Sequence, residues 1–353
     1  MGLSACQPVH ARHCAGADRR DGARHPPRPG RARQRGHLAG LAGVLIALAA
    51  PCGADGLRLA YWNTDLNRAG PGLLLRDLRL GRADDLRVAA RTIAALQADV
   101  LVISGFDYDA GGLALAALNA ALPQPYDHLR PLRPNTGIAS GFDLDGNGRS
   151  DEARDAIGFG RFPGEGGMAI LSRLPLDAAA SVDHSGLLWR DLPGAALPPL
   201  PEGAAEMLRL STTGHHDTAV VLPDGRRLHL LTWHATPPAF DGERNIRRNH
   251  DEAAFWLHLL DSPQAPQAPF VLIGQANVDP DKGNGDPAAL RALLADTRLQ
   301  DVLAGDTVDY GGALGVLRVS YILPSASITV TGAGHAPQPE GARHHPIWME
   351  ISP

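Results

Sequence analysis

The sequence predicts an α+β protein in which two packed β-sheets are covered on their outer faces by helices. Short apolar stretches typical of strands outnumber those typical of helices. Some of the strand stretches flank turn residues, as around Pro223-Asp224-Gly225-Arg226, which is typical of a hairpin. Neither a repeat nor a clear linker divides residues 55–353, so we expect one domain there. Two sheets packed face to face, with helices outside, bury such elements most economically.

The predicted elements are separated by long loops rich in glycine and proline. A short apolar run predicts the first strand over 57–62, and apolar residues that recur on one face predict a helix over 84–96. The same two criteria give the remaining elements: a strand over 100–103, a helix over 111–122, a loop-rich region over 123–165, hairpin strands over 219–222 and 228–232, a helix over 244–260, and strands over 270–273, 319–323, 328–331 and 347–351.

Residues 1–54 are predicted to be an export signal. Arg31, Arg33 and Arg35 precede an uncharged apolar run over residues 38–50, and small residues follow that run. This is the order of the parts of a signal peptide. The apolar run is too short to span a bilayer, which takes about 20 residues in a helix. We therefore expect export to the periplasm or the medium and no transmembrane span.

Charge and cysteine usage restrict the function of the remaining chain. Residues 1–54 hold eight arginines and two aspartates, so the rest carries a net charge of about −11, against −5 for the whole chain. An acidic body is a poor binder of extended nucleic acid, which needs clustered lysine and arginine. All three cysteines lie in residues 1–54, so neither disulfides nor thiolate metal sites are expected in the body. We expect a monomer.

Polar motifs stand at four predicted strand ends. They are Trp62-Asn63 and the stretches 232–238 (TWHATPP), 274–280 (GQANVDP) and 343–348 (RHHPIW). Their order resembles the endonuclease/exonuclease/phosphatase superfamily, whose fold is that of DNase I. Four supporting stretches are similar to an exported bacterial branch of it: 105–109 (GFDYD), 167–172 (GMAILS), 248–252 (RNHDE) and 321–325 (YILPS). The resemblance covers residues 57–351 and implies a four-layer α/β/β/α sandwich of two mixed, mainly antiparallel sheets.

The resemblance also implies an inherited catalytic site. Enzymes of this superfamily hydrolyse phosphate esters with divalent cations held by carboxylates and with histidine as general base or acid. By position, the catalytic residues implied here are Asn63, His234, Asn277 and His344.

Four positions at which the family has an acid carry other residues. These substituted positions are Gly105, Gln275, Ser320 and Arg343. The exchange raises the net charge of the site by about five. A unit positive charge about 4 Å from Arg343 is repelled by roughly 4 kcal/mol at an effective dielectric constant of 20. We therefore expect the Mg²⁺ or Mn²⁺ site to be lost, and His344 to lack the acid that would orient it.

The preferred interpretation is a non-catalytic pseudoenzyme that binds a phosphate-containing ligand or another small anion. Its predicted anion-binding residues are Arg343, Asn63, Asn277, His234 and His215.

Two other interpretations remain open. An active metal-dependent phosphodiesterase, nuclease or phosphatase would need a relocated metal site, for which Asp107, Asp109, Asp279 and Asp217 are candidates. A structural or partner-binding surface protein stabilised by calcium is the third possibility.

A second motif predicts a structural calcium site. The stretch 143–151 begins D-x-D-x-N-G, which is typical of a loop that curls around one Ca²⁺. The expected ligands are Asp143, Asp145, Asn147, the backbone carbonyl of Arg149, and Asp151. The usual glutamate at the twelfth position is absent, so an ordinary polar turn is the alternative. A bound ion would fasten a long loop and take no part in chemistry.

Overall fold

The computed structural model describes residues 56–267 and 269–352, so the predicted export signal lies outside the described residues. The elements in chain order are β1 (Leu57–Asn63), α1 (Leu73–Leu80), α2 (Asp84–Leu96), β2 (Val100–Phe106), α3 (Leu113–Ala120), β3 (His128–Leu132), β4 (Gly167–Ser172), β5 (Leu176–Asp183), β6 (Gly214–Val221), β7 (Arg227–His234), α4 (Gly242–Leu260), β8 (Phe270–Gln275), α5 (Ala288–Ala295), β9 (Val308–Asp309), β10 (Val316–Leu317), β11 (Ser320–Pro324), β12 (Thr329–His335) and β13 (Ile347–Ser352).

The strands form two large mixed sheets and a short ribbon. One sheet has the strand order β12-β13-β1-β2-β4-β3 and the other the order β11-β8-β7-β6-β5, while β9 pairs with β10. Each large sheet contains one parallel pair, β1 with β2 and β7 with β8, and its other pairs are antiparallel. The predicted fold class of two mixed, mainly antiparallel sheets is confirmed.

Apolar side chains fill three interfaces and so define the layers. Leu59 and Tyr61 of β1 join a cluster with Leu230 and Ile273 of the other sheet, which forms the core between the sheets. Because successive strand residues point to opposite faces, the alternate residues of β1 pack instead with α1, α2 and α3. The helices α4 and α5 cover the outer face of the five-stranded sheet in the same manner.

The observed elements differ from the predicted ones mainly at short or partly exposed segments. The helix α2 has the predicted bounds, and the strands predicted at 100–103 and 270–273 continue to Phe106 and Gln275. The short helices α1 and α5 and the strands β3, β4 and β5 were not predicted. The strand β5 lies at a sheet edge and is half exposed, so its sequence lacks a continuous apolar pattern. None of the helices in the described part of the chain is both long and apolar enough to cross a membrane.

Candidate functional site

The predicted site residues lie where the parallel strand pairs of the two sheets end. Asn63 is the last residue of β1 and is paired with Ser104 of β2. In the other sheet, His234 at the end of β7 is paired with Gln275 at the end of β8. A hydrogen bond of 2.8 Å from Asn63 Nδ2 to Gln275 Oε1 joins the two sheets at this edge. Parallel strands bring their carboxyl ends to the same edge, which places these side chains together.

A hydrogen-bonded network of uncharged side chains lies at this edge of the two sheets. Gln275 Oε1 also accepts a longer bond of 3.4 Å from the hydroxyl of Tyr61, and that hydroxyl lies 2.5 Å from Ser104 Oγ. The amide nitrogen of Gln275 donates to Asn277 Oδ1, and Asn277 Nδ2 donates to the carbonyl of Ala235 at 2.6 Å. Gln275 is therefore part of a hydrogen-bonded network.

Gly105 allows residues 63–65, hereafter the 63–65 segment, to lie against β2. Its φ of +63° is in the left-handed region that favours glycine. A Cβ atom at this position would overlap Asn63 Oδ1 and lie 2.9 Å from the backbone nitrogen of Asp65. No side chain fits here unless the 63–65 segment moves.

Arg343 forms an ion pair with Asp65, the last residue of the 63–65 segment. The guanidinium places Nε 3.1 Å and Nη2 3.0 Å from the same carboxylate oxygen, Oδ2. The side chain of Arg343 is 58% exposed. Asp65 has a φ of +50°, which is uncommon for a residue other than glycine, and its backbone nitrogen donates to Asn63 Oδ1 at 3.2 Å. The charge of Arg343 is thus offset by a neighbouring acid.

The two histidines of the site are held in the neutral form. His344 is buried, and burial, with a smaller contribution from Arg343, lowers its pKa to about 3. Burial likewise lowers the pKa of His234 to about 4, with His344 acting in the same direction. His344 Nε2 lies 3.4 Å from Asn63 Nδ2. The Nδ1 atoms of both histidines, and Ser320 Oγ, are buried without a hydrogen-bond partner in the described part of the chain.

His215 does not belong with these residues, contrary to its predicted place in the pocket. It is 1% exposed, and its ring packs against Phe255 and Trp256. Its Nδ1 is paired with Ser211 Oγ, and its Nε2 lies 2.9 Å from the carbonyl of Glu252. Both ring nitrogens are used within the core, so His215 has no atom left to bind an anion.

The acids proposed for a relocated metal site have other partners. Asp107 accepts backbone hydrogen bonds from Arg68 and Gly166, and burial raises its pKa. Asp109 accepts the first backbone N–H groups of α3, and Asp279 accepts those of Asp281, Lys282 and Arg318. Asp217 Oδ1 lies 2.7 Å from His229 Nδ1. Each of these carboxylates fastens a loop or a strand.

The calcium-like loop gathers a different set of acids from the predicted one. Oxygen atoms of Asp143, Asp145 and Asp155 lie within 4.8 Å of one another. Asp151 is exposed and lies 4.0 Å from Arg149, while the amide of Asn147 donates to Glu152 at 2.6 Å. The third carboxylate of the group is therefore Asp155, beyond the predicted ninth position.

Two further residues of the site were missed by the sequence analysis. Asp65 follows Asn63 by two positions at the end of β1, which was the one available signal. The ring of Tyr310 meets that of His344 edge to face at 5.9 Å. Burial raises the pKa of Tyr310, with smaller opposing contributions from Arg343 and Asp65.

Comparison with known proteins agrees with this fold. A model of the Endonuclease/Exonuclease/phosphatase family matches residues 60–344. An endonuclease/exonuclease/phosphatase from Beutenbergia cavernae has a similar structure with a TM-score of 0.54 and 17% identity, covering 84% of this chain and 71% of that one. Sphingomyelinase C from Streptomyces griseocarneus matches with a TM-score of 0.50, 18% identity, and 84% and 99% coverage. The human Nocturnin catalytic domain, solved with bound sulfate, matches with a TM-score of 0.51, 13% identity, and 84% and 93% coverage. No curated protein sequence matches.

Proposed function

Because the chain belongs to the endonuclease/exonuclease/phosphatase family, we propose that it is an exported member that has lost phosphate-ester hydrolysis and binds a small oxyanion at the former catalytic site. The observation that carries this proposal is the 63–65 segment. It packs on Gly105, bonds to Gln275 and pairs with Arg343. Three of the four substituted positions thus support a single local arrangement, which favours a rebuilt site over one missing acid.

The donor set does not suit a catalytic Mg²⁺ or Mn²⁺ ion. Such ions need several hard oxygen ligands, chiefly carboxylates and water. Gln275 Oε1 already accepts hydrogen bonds from Asn63 and Tyr61. Asp65, the carboxylate beside this network, is paired with Arg343, and a cation entering there would face the guanidinium charge. We therefore assign no hydrolytic step to this site.

The remaining groups suit a singly charged oxyanion. Arg343 presents five N–H donors, of which the Nε–H donates to Asp65, and its side chain is 58% exposed. Charge-assisted hydrogen bonds from guanidinium to phosphate or carboxylate are among the stronger ones. Because Asp65 offsets the charge of Arg343 and both histidines are neutral, the site has a net charge near zero. A phosphodiester or carboxylate group therefore suits it better than a highly charged phosphate.

Hydrolysis assays test the loss of catalysis. The protein would be incubated with plasmid DNA and a chromogenic phosphodiester over a range of Mg²⁺, Mn²⁺ and Ca²⁺ concentrations, with a chelator control. We expect the wild-type protein to show no more turnover than the His234→Ala and His344→Ala variants. Chelator-sensitive turnover that disappears in both variants would refute the proposal and would favour a relocated metal site.

We further propose that residues 1–54 direct export and are removed from the single domain of residues 55–353. The order of arginines, apolar run and small residues supports this proposal. N-terminal sequencing of the protein from the periplasm and the medium should give a start near residue 55. An intact N-terminus on protein recovered from the cytoplasm alone would contradict it.

A structural Ca²⁺ ion is proposed for the loop over residues 143–155. The sequence pattern and the grouping of Asp143, Asp145 and Asp155 support it. Millimolar Ca²⁺ should raise the melting temperature of the protein, and Asp155→Asn should remove that shift. Asp151→Asn, which changes an exposed acid outside the group, should leave the shift intact. An equal shift in wild type and Asp155→Asn would refute this site.

A further inference from the structure

The ion pair between Asp65 and Arg343 occupies the Nε/Nη2 edge of the guanidinium, one of the edges that can bind an oxyanion. Arg343 Nε donates a hydrogen bond of 3.1 Å to Asp65 Oδ2, and Nη2 lies 3.0 Å from the same oxygen within the ion pair. These two nitrogens form the edge of a guanidinium that binds carboxylates and phosphates by two parallel hydrogen bonds. A ligand that uses this edge must displace Asp65.

The chain holds Asp65 in this position through several other contacts. Asp65 adopts a left-handed backbone conformation with a φ of +50°, and its backbone nitrogen bonds to Asn63 Oδ1. The absence of a side chain at Gly105 leaves room for this arrangement. A non-glycine residue in such a conformation is strained and persists where surrounding contacts impose it. The acid is thus positioned by the fold rather than drawn there by the arginine alone.

We infer that Asp65 is an internal competitor for the anion-binding edge of Arg343 and thereby determines which ligands the site accepts. This inference rests on the proposed anion-binding function. Asp65 offers one oxygen to two nitrogens, whereas a phosphodiester or a carboxylate offers two oxygens and satisfies each nitrogen separately. Ligands with two adjacent oxygens therefore displace Asp65, and a halide does not.

Removing the competing charge should strengthen binding of such a ligand. Exposed ion pairs are worth about 0.2–1 kcal/mol, so Asp65→Asn should tighten binding by about 1.4-fold to fivefold. Asparagine is suited to the left-handed conformation and leaves the backbone bond to Asn63 in place. Asp65→Gly removes the carboxylate without any backbone cost and serves as a second variant.

An NMR titration of the protein with dimethyl phosphate, a monoanionic phosphodiester, tests this inference. The arginine Nε–H signals would be followed in the wild type and in each variant. Arg343→Gln should abolish binding. Asp177→Asn is the matched control, because Asp177 forms a pair with Arg227, an arginine about as exposed as Arg343, at the other end of β7; it should leave the affinity unchanged. Chloride at equal ionic strength should not displace Asp65 from Arg343 in the wild type and should leave the arginine Nε–H signals unchanged.

The outcomes separate the inference from the proposed function. Tighter binding by Asp65→Asn and Asp65→Gly, lost on adding Arg343→Gln, supports both. Equal affinity in wild type and both Asp65 variants overturns the competition but leaves anion binding standing. If neither the wild type nor a folded Asp65 variant binds dimethyl phosphate, anion binding itself is refuted.

Discussion

The packing of Gly105 against the 63–65 segment gives a quantitative prediction for Gly105→Ala. The residue has a φ of +63°, and an added Cβ would overlap Asn63 Oδ1. The left-handed conformation costs an alanine about 1–2 kcal/mol. Displacing Asn63 would also break its bonds to Gln275 and to the backbone of Asp65, at about 1 kcal/mol each. We expect the free energy of unfolding to fall by about 3–4 kcal/mol.

Gly81→Ala is the matched control for this measurement. Gly81 has a φ of +62°, almost the same as that of Gly105, but a Cβ there meets no atom within 4 Å. Its substitution should therefore cost about 1–2 kcal/mol, the backbone contribution alone. Urea unfolding followed by circular dichroism measures both variants. If Gly105→Ala is no more destabilising than Gly81→Ala, the reasoning that the 63–65 segment blocks position 105 is wrong.

The same reasoning applies to placing a carboxylate at position 105. Gly105→Glu should be at least as destabilising as Gly105→Ala and should bind no Mn²⁺, because the carboxylate cannot enter while Asn63 occupies the space. Isothermal titration with MnCl₂ tests this. Stoichiometric Mn²⁺ binding by Gly105→Glu would show that the single lost acid, and not the rearranged segment, had removed the metal site.

Three further predictions concern buried polar groups. Burial, opposed by Arg248, raises the pKa of Glu252 to about 7. Between pH 4.5 and 7 the folded protein keeps a proton that the unfolded chain releases, so the free energy of unfolding should fall by about 3 kcal/mol over this range. Urea unfolding at several pH values measures this decline, and Glu252→Gln should remove it. Asn249→Ala should cost about 2–4 kcal/mol because two carbonyls beside the site lose their donor, whereas Asn245→Ala, at an exposed bond, should cost less than about 1 kcal/mol. The imidazole carbon signals of His344 should not titrate between pH 5 and 8, whereas those of His250, whose hydrogen bond to Asp251 raises its pKa, should.

Regular elements with strong internal patterns were predictable from sequence. The helix α2 was predicted with its observed bounds, because apolar residues recur along one face for its whole length. The strand β5 was not, since it is an edge strand whose small and polar residues take their conformation from pairing with β6. The strands β2 and β8 were predicted too short, because their last residues reach the polar site where apolar patterning ends.

The candidate site was predictable in membership but not in arrangement. The motifs at the strand ends brought Asn63, Gln275 and His344 to one place, as predicted. His215 was misplaced because both faces of β6 are buried, and strand alternation does not tell that the face with His215 packs against α4. In the calcium-like loop, Asp155 and not the predicted Asp151 lies close to Asp143 and Asp145. The path of the chain beyond the nine-residue motif decides which carboxylate comes near, and the motif does not specify that path.

The sequence by itself determined the fold class and the polar motifs at the strand ends, because these follow from local patterning and residue type. Only the tertiary structure decided how the residues of these motifs contact one another. Asp65 and Arg343 are 278 positions apart in the chain, and Gly105 comes against Asn63 only when β1 and β2 pair. Charge counted along the sequence made the site positive, whereas the folded protein brings an acid to the arginine and leaves the site close to neutral.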